Sequence, residues 1–298
     1  MNWFQGGALG LVQGLTEFLP VSSSAHLRIA AALAGWDDPG AAFTAVSQIG
    51  TETAVLLYFR KDIARIVSAW ARSLRDPKMR ETLDARMGWL IIIGSIPVCL
   101  LGVTLKNTIE GPFRDLRLIA MTLIVLGLIL GAADLYSSQA GRRGRHAFPR
   151  RRKTVEDLTV RDGLIYGLCQ SLALVPGVSR SGATVSGGLF LGYTREAAAR
   201  YSFLLAIPAV LASGLFELKD VPGSNVAWGP TVLATAIAFV VGYSAIAWFL
   251  RYISTRSFAP FVIYRVALGI LLLALIVSGH LDARAAETTT ATPPPAAG

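Results

Sequence analysis

Two serine-rich strings carry the residue types best suited to chemistry. The first runs from Gln13 to His26 and reads Gln-Gly-Leu-Thr-Glu-Phe-Leu-Pro-Val-Ser-Ser-Ser-Ala-His. Gln13 and Glu17 are spaced i and i+4, so a helix puts them on one face. Pro20 disfavours helix in the residue before it, and Ser22, Ser23 and Ser24 then cap a second short helix beginning around Ala25. Serines at a helix start offer hydroxyls and free backbone N–H groups to an anion, a geometry that suits phosphate. His26, in the first turn of that helix, is placed to reach the same ligand. The second string, Pro176 to Thr184, reads Pro-Gly-Val-Ser-Arg-Ser-Gly-Ala-Thr and repeats the design. It adds Arg180, a permanent cation whose fork of donors matches phosphate oxygens. No Walker A loop, Gly-x-Ser-x-Gly elbow or His-Glu-x-x-His zinc motif is present.

The elements that must position these strings belong to a membrane protein. Of 298 residues, 53% are hydrophobic and 16% charged. The mean hydropathy is +0.53. Residues 87–105, 118–133, 201–216 and 226–250 carry no Asp, Glu, Lys or Arg, while 41–59 and 257–279 carry one charge each, Glu52 and Arg265. Since about 20 apolar residues cross a bilayer, six transmembrane helices are predicted. The N-terminus lacks the basic start of a signal peptide, the first Lys or Arg being Arg28, so residues 3–35 are expected to belong to the fold. The net charge of +9 is concentrated in Arg60 to Arg86 and Arg142 to Arg161, which flank apolar runs and have little aromatic interleaving. They read as cytoplasmic loops, not as a nucleic-acid surface. Cys99 and Cys169 have no metal-ligand spacing and read as buried packing. Arg265, eight residues into its span, reads as a structural residue that snorkels.

Two stretches, 3–35 and 163–192, are apolar but broken by Pro, Gly and serines. Aligned at an offset of 157, Gly10 to His26 and Gly167 to Ala183 share seven of 17 positions, among them Gln13 with Gln170, Ser22 with Ser179 and Ser24 with Ser181. Each stretch is followed by three spans. The fold class expected is therefore an all-α integral membrane protein of six transmembrane helices and two re-entrant helical hairpins, arranged as inverted-topology repeats. A single polytopic domain covers 1–285, with repeat one at about 1–136, a basic cytoplasmic loop at 137–162 and repeat two at about 163–280; 286–298 is expected to be a disordered tail. With the basic segments inside, every crossing returns consistently. The first break then enters from the outer face and the second from the cytoplasmic face, and their tips meet at mid-membrane, where broken helices form binding sites. An Arg at that depth costs at least about 2.5–3.5 kcal/mol on insertion scales, so Glu17 is the counter-charge expected for Arg180.

The two strings, and Tyr201 to Pro208 after the second, resemble the signatures of the undecaprenyl-diphosphate phosphatase family, also called the bacitracin-resistance protein family. The resemblance covers nearly the whole chain. It implies hydrolysis of undecaprenyl diphosphate to undecaprenyl phosphate, recycling the lipid carrier of peptidoglycan synthesis, in a bacterial inner membrane with the site open to the outer face. It also implies that Glu17, Ser23, His26 and Arg180 are catalytic. Gln13 stands where the family has Glu or Gln, which weakens any scheme needing two carboxylates, including a metal held by the pair.

On this basis Ser23 is the favoured nucleophile, with Glu17 or His26 as base; attack by water or by His26 stays open. Gln13, Ser22, Ser24, Glu52, Gly177, Ser179, Ser181 and Thr184 are expected to contact substrate. A divalent cation, Mg or Ca, is compatible with a diphosphate, although the sequence names no metal ligands. The expected partners are a polyprenyl diphosphate lipid and membrane lipids; a homodimer is compatible with the sequence. The rival readings are a polyprenyl-phosphate transporter or flippase, which shares the inverted architecture, and a non-enzymatic lipid- or antibiotic-binding protein.

Overall fold

Backbone polar groups in an apolar solvent must be satisfied within the chain, which favours helix throughout. The computed structural model describes residues 1–105, 115–143, 151–217 and 226–283, and among them there is no strand beyond an isolated bridge between Lys153 and Tyr193. Its helices are α1 (Trp3–Thr16), α2 (Ser23–Ala34), α3 (Gly40–Tyr58), α4 (Arg60–Ser73), α5 (Leu83–Thr104), α6 (Leu116–Arg143), α7 (Val160–Ser171), α8 (Arg180–Phe190), α9 (Arg195–Glu217), α10 (Trp228–Ile253) and α11 (Ala259–Val277). Five of them, α5, α6, α9, α10 and α11, are long and apolar enough to cross a membrane. Large apolar side chains such as Phe4, Leu100, Ile263 and Val277 stand exposed on the outside, as lipid contact requires. This is a multi-pass membrane protein.

The stretch 41–59, expected as a further span, does form a helix, α3, but it is not among the five. The reason is its polar load of Thr44, Ser47, Gln48, Thr51, Glu52 and Thr53. Ser47 and Thr51 are fully buried, because α3 packs inside the protein against α9 and α10. The tail expected at 286–298 lies outside the described residues.

Both stretches are helices broken where Pro, Gly and the serines fall. The chain leaves α1 after Thr16 and re-enters helix at Ser23, with Ser22 as N-cap; it leaves α7 after Ser171, makes a short 3-10 turn at Leu172–Leu174, and re-enters helix at Arg180 with Ser179 as N-cap. Ser22 (φ 77°) and Ser179 (φ 68°) are the two non-glycine residues with positive φ among the described residues, and they are the pair aligned at the offset of 157. An L-residue rarely holds this conformation unless its surroundings enforce it. The helices entering the breaks are packed closely through small residues. A Cβ on Gly10 would run into the backbone of Ala234 on α10, and one on Gly167 into the backbone of Gly94 on α5. Pairs of small residues of this kind let membrane helices approach.

Arg265 of α11 holds the two breaks together. Contrary to the expectation that it snorkels, its side chain is fully buried. One Nη1 donates to the Pro20 carbonyl (3.1 Å), Nη2 to the carbonyls of Gly177 (2.8 Å), Val178 (3.0 Å) and Thr122 (3.4 Å), and Nε to that of Leu123 (3.3 Å). One guanidinium thus satisfies carbonyls that the breaks leave without helical partners. The prediction is that Arg265→Met strands those carbonyls and destabilises the protein by about 1–3 kcal/mol for each buried acceptor left without a partner. Thermal unfolding in detergent measures it, and Arg265→Lys, which keeps the charge without the fork, should fall between the two.

Candidate active site

The breaks bring Glu17, Ser23 and Arg180 into contact. Glu17 follows the last turn of α1, where its backbone N–H still bonds to the Gln13 carbonyl at 3.1 Å. Its Oε2 accepts from the Ser23 hydroxyl at 2.7 Å and from Gln13 Nε2 at 3.0 Å; its Oε1 accepts from Arg180 Nη2 at 3.1 Å. The ion pair is mostly shielded, with side chains 16% (Arg180) and 8% (Glu17) exposed. Desolvated pairs of this kind hold their geometry when further hydrogen bonds complete them, as Ser23 and Gln13 do here. The Ser22 and Ser24 hydroxyls lie 3.3 Å apart, and those of Ser179 and Ser181 repeat that distance on the other side.

These groups face a cavity of about 570 Å³. Its polar end includes Gln13, Glu17, Ser22, Ser23, Ser24, Ser179 and Arg180, together with Gln48 of α3 and Gln170 of α7. Its other end is an apolar arm between α5 and α9, lined by Val98, Cys99, Val103, Ala209 and Val210 among others. Such a shape suits a ligand with a charged head and a greasy continuation.

Not every expected residue reaches this cavity. His26 sits behind the serine turn: Nδ1 is 2.7 Å from the Ser22 carbonyl and Nε2 is 2.7 Å from the Tyr264 hydroxyl, against which the ring stacks. A carbonyl can only accept, so Nδ1 carries the proton. Thr184 bonds to the Ser202 hydroxyl (2.5 Å) and to the Arg180 carbonyl, Ser181 donates to the Leu19 carbonyl, and Gly177 offers its carbonyl to Arg265. Their polar groups are used in building the breaks. Glu52 is 8% exposed and also lies outside the cavity lining.

Three features went unread in the sequence. Arg265 was visible as a charge within a span but not as the link between breaks. Tyr264, which holds His26, carries no sequence signal. Cys99, expected in buried packing, is exposed and lines the apolar arm, whereas Cys169 is partly covered beneath Gly187.

Residues 7–271 match the family described as bacitracin resistance protein BacA. The chain belongs to this family. It is 73% identical over 292 residues to undecaprenyl-diphosphatase 3 of Frankia alni, covering 96% of this chain and 98% of that protein. It is 67% identical over 289 residues to undecaprenyl-diphosphatase 2 of Streptomyces coelicolor (97% and 99%) and 61% identical over 282 residues to the undecaprenyl-diphosphatase of Thermobifida fusca (94% and 92%).

The residues present do not fit a divalent cation held by the protein. Gln13 puts a neutral amide beside Glu17, whose oxygens are already shared by Arg180, Ser23 and Gln13. Among the described residues no group of three or more His, Cys, Asp or Glu gathers at any point. The unequal surroundings of the two thiols give a second prediction. In detergent, a maleimide should label Cys99 well before Cys169, with Cys99→Ala removing the fast phase; equal rates would contradict the exposed position of Cys99.

Proposed function

We propose that this chain hydrolyses undecaprenyl diphosphate to undecaprenyl phosphate and inorganic phosphate in the bacterial inner membrane, recycling the lipid carrier for peptidoglycan synthesis and conferring bacitracin resistance. The observation that carries this reading is the Ser23 hydroxyl bonded to Glu17 beside Arg180, in a cavity with an apolar arm. The name undecaprenyl-diphosphatase on relatives 53–75% identical supports the substrate.

In the mechanism, the diphosphate head lies at the polar end and the prenyl chain leaves along the arm. Ser23 Oγ attacks the terminal phosphorus while Glu17 takes its proton, a role that its 2.7 Å bond already prepares. The bond from that phosphorus to the bridging oxygen breaks, and undecaprenyl phosphate leaves. Glu17 returns that proton to the departing lipid phosphate and, a carboxylate again, takes one from the water that attacks the phosphoserine, then passes it to Ser23 Oγ as inorganic phosphate leaves. Arg180 and the amides starting α2 and α8 stabilise the equatorial oxygens. His26 acts from behind: with Nδ1 on Ser22 and Nε2 on Tyr264, it fixes the serine turn. That occupancy favours Glu17 as base. One chain supplies all of these groups, so the chemistry asks for no second copy.

The architecture proposed for this chemistry is a single membrane domain of inverted repeats with α3 as a sixth crossing, open to the outer face. Several packing relations support it. In chain order, with α4 set aside, α1, α3, α5 and α6 correspond to α7, α9, α10 and α11; the α1 and α10 pairing then matches that of α7 and α5, that of α3 and α10 matches that of α9 and α5, and α6 pairs with α11. Inverted repeats also build transporters, but transport has no use for a hydroxyl held by a carboxylate.

Phosphate release from undecaprenyl diphosphate in detergent tests the reading. Arg180→Ala should lower kcat by at least about 10²–10³-fold, the effect of removing one donor aimed at a transition-state oxygen. Acid quenching should trap phosphate on Ser23 and none on Ser23→Ala. Full turnover by Ser23→Ala would eliminate the covalent route, and wild-type protein that binds the lipid without releasing phosphate would leave the transporter and the non-enzymatic binding protein.

A further inference from the structure

Gln170 occupies the position in α7 that Gln13 occupies in α1 at the offset of 157. Both side chains are buried, each 1% exposed, and both line the cavity. Gln13 donates to Glu17 through Nε2, but its Oε1 has no partner; in Gln170 neither Oε1 nor Nε2 has one. Buried side-chain amides are paired in the large majority of cases, and an unpaired one calls for an explanation. Gln13 is explained in part by its bond to Glu17. Gln170 has no described partner that explains its burial.

Its place along the cavity identifies what would pair with it. Gln170, Ala173 and Leu174 follow the spacing i, i+3, i+4 and all three line the cavity. A Cβ on Gly102 of α5 would lie 3.7 Å from Leu174, so the break that begins just after Gln170 borders the apolar arm, while Ser23 and Glu17 are supplied by the other break. A diphosphate with its terminal phosphoryl at Ser23 and its chain in the arm must pass its second phosphate between the two.

We infer that Gln170 binds the prenyl-bearing phosphate, donating from Nε2 to an oxygen of the group that leaves as the lipid monophosphate. This rests on the proposed reading of the cavity as a prenyl diphosphate site. The amide is neutral, so it holds this phosphate without neutralising it, and its free carbonyl accepts from water at the same spot. Gln170 is thus a substrate contact on the leaving group, separate from the Ser23, Glu17 and Arg180 set that acts on the phosphoryl group transferred.

The test is Gln170→Met, which keeps the length and removes both polar atoms. A packing role predicts unchanged binding; the contact predicts loss of a hydrogen bond to a charged group, about tenfold to a hundredfold. Thermal unfolding without ligand checks folding and should be unchanged or raised, since an unpaired amide is removed. Stabilisation of the protein by added undecaprenyl phosphate, read as an apparent Kd, should weaken by that factor, and KM for undecaprenyl diphosphate should rise with it, while inhibition by inorganic phosphate stays at the wild-type level. Unchanged Kd for undecaprenyl phosphate in a folded Gln170→Met protein would overturn the inference. So would weakened inhibition by inorganic phosphate alone, which would move Gln170 to the other phosphate. Because the monophosphate titration needs no turnover, failure of wild-type hydrolysis would count against the proposed function and leave this assignment separately tested.

Discussion

The structure depends on how non-helical backbone is kept inside a membrane protein. A broken helix strands carbonyl groups at a depth where water is scarce, and two breaks meeting at one point strand them twice. Arg265 answers both at once, reaching Pro20 in one break and Gly177 and Val178 in the other, while α6 contributes Thr122 and Leu123. The guanidinium suits the task because its donors lie in a plane and spread over several acceptors. Tyr264, the preceding residue, reaches His26 and through it the Ser22 carbonyl. A single turn of α11 therefore braces both sides of the cavity without entering it.

On this support the two breaks use one backbone design for different chemistry. Ser22 and Ser179 share the left-handed conformation, and in each break a serine two residues on approaches the N-cap hydroxyl at 3.3 Å. Between them, the first helical residue is Ser23 in one copy and Arg180 in the other. The same slot thus presents a hydroxyl on one side and a cation on the other, and Glu17 bonds to both. Positions that align between the two strings thus aim two groups at one carboxylate.

Much of this was legible in the sequence because the signals were local. Apolar runs marked the long helices, Pro and Ser marked the breaks, and the alignment at 157 gave the register that the two left-handed serines share. The Glu17 and Arg180 pairing followed from the cost of leaving either charge bare. What stayed hidden depended on contacts far apart in the chain. Arg265 has the sequence context of a snorkelling side chain, and only the position of the breaks beside α11 turns it inward. His26 has the spacing of a ligand-facing residue, yet Tyr264, 238 positions away, takes its outer nitrogen. The polar residues of α3 lowered its apolar character for the same reason: Ser47, Thr51 and Glu52 are buried in protein.

The volume of the cavity has a consequence for how the proposed substrate is recognised. About 570 Å³ is an ordinary small-molecule site, far smaller than an undecaprenyl chain. Most of the tail therefore stays in lipid whether or not the head is bound, and its transfer free energy largely cancels between the two states. Its contribution is to confine the molecule to a thin sheet and present the head at a fixed depth. The bilayer becomes the delivering half of the binding site, and the protein reads one charged end of a long molecule.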